Sequence, residues 1–414
     1  MSQASQDFTL AYYSGNRKTG AIAILSRKNN HFSIKQLDVE AETSLEKALK
    51  PIFVGLTESH QVVTLDPASK QLRFSDAFPT DAFAAHIYSD PKSSRDWLMN
   101  DGDKETGNDT LNCGHNGSSV TVIDSSNSSK ANYLGTICVG RGHHQASFSY
   151  PSSDAPDVPY QAYISNLIDG SLTVIGNEPN TANYMKAIAT INLGEADKEE
   201  SGSIGMPNNA FPHGLGYSPV SGKIYNLNNG YGTVAVINPV THEIEERFAF
   251  KGHSNLFVSP CGRYIIGRGA DRKSDAAHVF AKMSVYDVVS KQITDTVSLK
   301  DIYISKYFFN PEGSKLYLTT SASGNEEQTA NAKANALLSF DMTALPKLKL
   351  VNERDLGAPA GTLDFLQHNG KTTHIFSSNA GNGEVVILDG NTDEVVERVK
   401  AGDSVPHSRL WMLP

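Results

Sequence analysis

Cysteine and tryptophan are scarce in this chain, three and two residues among 414, and the other scarcities are as informative. Three cysteines cannot build a multi-disulfide scaffold. Cys113, Cys138 and Cys261 show no Cys-x-x-Cys spacing of the metal-binding kind. No apolar run approaches the roughly 18 residues that span a bilayer as a helix. The 36 Lys and Arg are outnumbered by 45 Asp and Glu and form no dense run. The formal charge is −9, and the concentrated basic face that nucleic acid requires is missing. Sustained helical periodicity is confined to Ser44-Leu45-Glu46-Lys47-Ala48-Leu49-Lys50. There is no Gly-x-Ser-x-Gly elbow, no P-loop and no dinucleotide fingerprint in a βαβ setting. Met1–Asp7 has neither the basic nor the apolar region of a secretory signal. Either the chain is cytoplasmic, or it is periplasmic or secreted with its signal removed.

What is present is a repeat. A small or polar residue, four or five residues of alternating apolar character and a closing Asp or Asn recur along the chain. Clear copies are Ser118–Asp124, Gly170–Gly176, Gly232–Asn238 and Gly383–Asp389; weaker ones are Ala21–Ser26, Gln61–Asp66, Met283–Asp287 and Ala336–Asp341. Their last residues fall 40 to 62 positions apart, the length of a four-stranded antiparallel unit. Ser-Pro or Asn-Pro followed by Gly marks a hairpin before many of these cores, at Ser218-Pro219, Ser259-Pro260 and Asn310-Pro311. Outer strands follow them, as in Glu243–Phe248.

These features predict an all-β fold over residues 1–414: a single closed β-propeller of four-stranded blades. Eight core segments allow eight blades, but the 40-residue first interval is short for four strands, so seven blades with an irregular N-terminal region are favoured. The opening strands (Phe8–Tyr13, Ala21–Ser26, Phe32–Val39) lack an inner partner, and Pro406–Pro414 reads as an inner strand with nothing after it. Pairing the two ends completes one blade and removes exposed edges. The segments Pro-His-Gly-Leu-Gly-Tyr-Ser-Pro (212–219), Gly-Lys-Ile-Tyr-Asn (222–226) and Gly-Thr-Val-Ala-Val-Ile-Asn (232–238) resemble a blade of the YVTN-type propeller repeat. That resemblance, from about residue 81 onward, implies fold and leaves function open. Propellers of this composition are often exported, which favours the periplasmic or secreted reading.

In such an architecture the residues entering each innermost strand meet at one rim of the central channel. His143 and His144, His213, His253 and His407 fall at that point, with His86 near it but out of register. Convergent neutral imidazoles suit copper, zinc or iron. The opposing reading is that Pro-His-Gly serves turn geometry and that the offsets of His213 and His253 turn their rings apart. His31, His60, His115, His242, His278, His368 and His374 map to loops or outer strands and are expected in solvent. Gly267–Arg272 is placed between strands. Its two arginines either face an anion at the rim or are solvated loop charges, the commoner case. Asp101–Asp109 has a calcium-like composition but lacks the twelfth-position Glu of an EF-hand. Cys138 is placed opposite Ser118 by simple hairpin register, so a bond to Cys113 requires the 113–117 loop to curl back.

The His143-His144 pair followed by His213 one blade later is similar to the His-lined propellers of nitrous-oxide reductase and thiocyanate dehydrogenase, and Ile164–Pro179 resembles a blade of the haem-type nitrite reductases. The resemblance covers one or two blades. Two rim positions, near Ser305-Lys306 and Thr362, lack histidine, which departs from a full multinuclear copper cluster. Three functions follow: a channel binding a transition metal or small ligand, a copper-dependent oxidoreductase acting on a small molecule, or a metal-free scaffold for a protein at the rim.

Overall fold

The computed structural model of the chain describes residues 8–15, 20–29, 31–37, 53–56, 62–65, 72–74, 79–80, 86–100, 113, 117–126, 131–198, 206–379, 381–401 and 407–412; for His143, His144 and His407 it describes the backbone alone. Seven four-stranded antiparallel sheets form a seven-bladed propeller. Blade 1 is made from both ends of the chain. The inner strand His407–Met412 pairs with Phe8–Gly15, which continues into Gly20–Lys28 and His31–Leu37. Blades 2 to 7 begin with the inner strands Ile87–Ser89, His143–Ser149, Pro212–Ser218, Asn255–Val258, Ile304–Phe309 and Ala360–His368. The expected terminal closure is therefore present, and the unpaired edges that would invite aggregation are joined. The surplus eighth core segment belongs to a separate three-stranded meander, Phe53–Leu56, Val62–Leu65 and Leu72–Phe74. The helical pattern at 44–50 lies outside the described residues.

Burial explains the repeat. The third strand of each blade is sandwiched between neighbouring blades, so Thr233–Ile237 is buried throughout, whereas the outer strand Ile244–Ala249 alternates between half-buried and exposed. The core lies between blades. Leu172 and Val174 of blade 3 pack with Ile224, Ala235 and Ile237 of blade 4. Phe257 and Ile266 of blade 5 pack with Leu316, Leu338 and Phe340 of blade 6. Each of these side chains is at most 4% exposed, and burying one of the Val, Leu, Ile or Phe side chains contributes about 1.5–3 kcal/mol.

Cys113 and Cys138 are joined by a disulfide. Cys138 pairs with Ser119 rather than Ser118, because an irregularity between Tyr133 and Gly135 shifts the outer strand by one residue. Cys113 adopts a left-handed conformation (φ 47°), which supplies the curl that the sequence required. The bond spans 25 residues, and Cys113→Ser should cost about 3 kcal/mol by the loop-entropy argument. Thermal unfolding with and without reductant checks this: the wild type should fall to the variant's midpoint, and an unmoved midpoint would show that the bond does not stabilise the fold.

Candidate functional site

The two ends of the propeller differ in construction. Where the inner strands finish, tight turns lead to the second strands, as at 219–222, 259–263 and 310–314. Where they start, the second-to-third-strand connections of blades 5 and 6, residues 272–279 and 321–335, are longer. One of them carries the helix Glu326–Asn331, capped by Asn325. Its Gln328, 2% exposed, donates from Nε2 to the carbonyls of Arg272 (3.1 Å) and Asp275 (2.8 Å), tying this excursion to its neighbour on blade 5. The disulfide-bearing edge of blade 2 lies at the same end.

All six candidate histidines are at that end. His143 opens the inner strand of blade 3, with His144 next; His407 opens that of blade 1; His213 is second in blade 4. His86 immediately precedes the inner strand of blade 2, and His253 lies two residues before that of blade 5. The His213 imidazole is half-buried and hydrogen-bonded to the Ser254 backbone. Burial first, then the Arg268 and His86 charges, hold it below the usual histidine range, outweighing that bond. Blades 2 and 4 are not neighbours, so the coupling between His86 and His213 runs across the channel. His253 is turned aside. It is 5% exposed, stacked on Phe250 at 4.1 Å, and its Nδ1–H donates to the Phe250 carbonyl at 3.1 Å. Burial lowers its pKa to about 4. Among the described residues no three His, Cys, Asp or Glu side chains are gathered in a metal-binding arrangement.

The residue that stands out is Arg268. In blades 3, 4 and 7 the second-strand residue paired with the first residue of the inner strand is a fully buried asparagine: Asn166, Asn228 and Asn379. Asn166 shows what such a side chain does: its Nδ2 donates to Ser171 Oγ (3.0 Å) and Thr173 Oγ1 (2.9 Å), bracing the third strand. Blade 5 has Arg268 there, paired with Asn255. Gly267–Asp271 is thus part of a strand and not an inter-strand loop. The Arg268 guanidinium makes one hydrogen bond, from Nη1 to the Ile304 carbonyl at 3.0 Å, while its Nε is enclosed without an acceptor. No carboxylate among the described residues pairs with it. An arginine stays protonated in proteins, and a largely enclosed cation without a counter-ion is costly. Beside it Gln145 crosses between blades, accepting at Oε1 from the Leu215 N–H (2.8 Å) and donating from Nε2 to Asn255 Oδ1 (3.5 Å).

Below this polar layer, toward the end with the tight turns, lies a cavity of about 380 Å³. Tyr88, Phe148, Tyr150, Tyr217, Phe257 and Tyr307 line it, with Ser147 among them. Tyr307 stacks on Phe257 at 4.0 Å, and Tyr150 meets Tyr217 edge-on at 5.0 Å. Tyr307 couples electrostatically to Tyr88 and to Arg268, which lies outside the cavity lining. Burial first, then Tyr307, keeps the Tyr88 phenol protonated.

Other expectations are corrected by burial. His374 is 2% exposed on the second strand of blade 7, not solvated, because that strand is covered on both faces. His278 pairs with Asp301 at 2.7 Å, and His242 meets Gln161 Oε1 at 3.2 Å. Asp101–Asp109, His60 and His115 lie outside the described residues.

No family model matches the chain, and no curated protein matches it in sequence. Solved structures do share its fold. The periplasmic gluconolactonase of Pseudomonas aeruginosa is 13% identical, with a TM-score of 0.55 over 99% of this chain and 100% of that one. AztD of Citrobacter koseri is 10% identical (TM-score 0.52, 98% of each chain). The dihydro-heme d1 dehydrogenase NirN is 13% identical (TM-score 0.56, 88% of this chain and 66% of that one). At such identities the likeness is one of fold, that of β-propeller proteins, and it does not single out the YVTN repeat.

Proposed function

We propose that this propeller is an exported binding protein whose central channel takes a small anionic ligand at Arg268, with His213 and His86 beside it. The observation that carries this reading is Arg268 itself, a largely enclosed cation whose one partner is the Ile304 carbonyl of the next blade's inner strand, where blades 3, 4 and 7 place a neutral asparagine. The charge around it agrees. Although the chain carries −9, its seven inner strands include one carboxylate, Asp364, against Lys306 and Arg409. Bidentate guanidinium recognition of a carboxylate or phosphate is the natural use of such a group. The Cys113–Cys138 bond supports export, since disulfides persist in oxidising compartments.

A second reading, a transition metal such as copper at His86, His143, His144, His213 and His407, is favoured by one specific observation: two inner strands begin at histidine and two more have one adjacent to their start. The Arg268 charge opposes it, because a guanidinium beside the imidazoles repels a divalent cation. One experiment separates the two. Tag-free protein is analysed for metal and titrated calorimetrically with small carboxylates and with inorganic phosphate. Carboxylate or phosphate binding that weakens as salt rises, with metal below about a tenth of an equivalent, supports the anion reading. Stoichiometric copper, zinc or iron lost on combined substitution of His144 and His213 by Ala, without anion binding, overturns it in favour of the metal.

A further inference from the structure

The anion reading leaves the rest of the ligand open, and the cavity beneath Arg268 specifies it. On the inner strands the cavity begins at the level of Ala146, Leu215 and Tyr307, about two residues below the level of Arg268 and Asn255. At the rise of a β-strand that separation is roughly 7 Å. The walls at and below this level are aromatic. Tyr307 and Phe257 form a stacked pair on one side, Tyr88 stands on blade 2 opposite, and Phe148 and Tyr217 line the wall further toward the open, tight-turn end. Phe148 is held rigid by an edge-on contact with Trp97 at 5.5 Å. Aromatic walls of fixed orientation favour another ring, through offset-stacked and edge contacts.

We infer that the channel binds an aryl-alkyl carboxylate, its carboxylate on Arg268 and its ring among Tyr88, Phe257 and Tyr307. The inference rests on the anion reading of Arg268 and adds the chemical class of the ligand. A spacer of two or three carbons between ring and carboxylate covers the distance between the two levels. A cavity of about 380 Å³ admits such a ring with its chain and is small for a multi-ring cofactor. Ser147 in the wall supplies a hydroxyl partner for a phenolic substituent.

The test uses the whole chain and three probes, 3-phenylpropanoate, hexanoate and 3-phenylpropan-1-ol, followed by calorimetry at low salt. 3-Phenylpropanoate should bind at least about tenfold more tightly than either of the others, since one lacks the ring and the other the charge. Ser147→Phe, which fills the cavity without removing a packed ring, should abolish that binding with the thermal midpoint retained. Hexanoate binding as tightly as 3-phenylpropanoate overturns the aromatic assignment and leaves the anion reading standing. The alcohol binding as tightly as the acid removes Arg268 from recognition and overturns both. No binding of any probe, in protein that still takes up inorganic phosphate, overturns the aryl carboxylate alone.

Discussion

Asp90→Ala should destabilise the propeller by about 3–5 kcal/mol. Asp90 sits in the turn after the inner strand of blade 2 and is 2% exposed. Its carboxylate pairs with Arg95 Nη2 at 3.2 Å, with side-chain exposures of 0% and 6%. It also accepts from Tyr160, from Asn177 Nδ2 (2.9 Å), from Ser93 Oγ (2.8 Å) and from the Lys92 N–H (2.9 Å). Tyr160 and Asn177 belong to blade 3, so one carboxylate fastens two blades together. Removing it strands the Arg95 guanidinium, which keeps Tyr184 Oη and the Asn177 carbonyl (both 3.0 Å) but no counter-ion. Urea unfolding of wild type and variant measures the cost; a loss under about 1 kcal/mol would place Asp90 with ordinary surface pairs.

The same carboxylate gives the pH dependence a sign. Burial opposes its ionisation, but the bonds from Tyr160, Lys92, Asn177 and Ser93 outweigh burial and hold its pKa below the ordinary value. Its contribution is therefore complete above about pH 4 and lost as the pH falls through the lower folded value. Two histidines act earlier. Burial holds His253 and His374 to about 4, against 6.5 in an unfolded chain. Between those values the unfolded chain takes up protons that the folded one refuses, so stability declines from pH 6.5 toward pH 4. Urea midpoints at pH 7.5, 5 and 3.5 should fall in that order. In Asp90→Ala the last step should shrink and the first should remain.

The architecture was legible because its determinants are local. Core segments such as Gly232–Asn238, hairpin prolines and a final strand without a successor each follow from strand patterning. Together they favour the seven-bladed closed topology that is found, with eight blades left open by the core segment Gln61–Asp66, which falls in the separate meander. The Cys138 register missed by one because the irregularity at Tyr133–Gly135 leaves no mark in a simple count. His374 was misplaced for a related reason: a second strand flanked by polar Thr372 and Thr373 reads as exposed until a neighbouring blade covers it. Gly267 and Gly269 read as turn residues, which sets Arg268 between strands on sequence alone. The strand tolerates them for packing reasons: a Cβ at Gly267 would meet the Phe250 ring at 2.2 Å, and one at Gly269 the Gly252 carbonyl at 2.0 Å. The missing signal was the comparison of blades with one another. Aligning Gly262–Arg268 with Gly222–Asn228 sets a charge against a neutral amide, and only the register shows that both positions pair with the first residue of an inner strand.

Arg268→Met should therefore move stability and binding in opposite directions. A guanidinium with one carbonyl acceptor and an enclosed Nε carries a desolvation cost, which shows in a pKa lowered chiefly by burial. Methionine has similar reach, no charge and enough flexibility to fill the same space. Replacing buried charge with apolar volume has raised stability by about 1–4 kcal/mol elsewhere, and a gain of about 1–3 kcal/mol is expected here. Removing this neighbouring cation should also let the His213 pKa rise toward its usual value, a shift that NMR titration of the ring can follow. At the same time small-carboxylate binding should fall by at least about tenfold, because charge-assisted hydrogen bonds are the strong ones. A variant that is less stable than wild type would give Arg268 a structural duty through the Ile304 carbonyl. A variant that is more stable and still binds carboxylates would move the anion site elsewhere. Higher stability with binding lost is the signature of a residue kept for its ligand, since no structural need accounts for a charge where blades 3, 4 and 7 manage with asparagine.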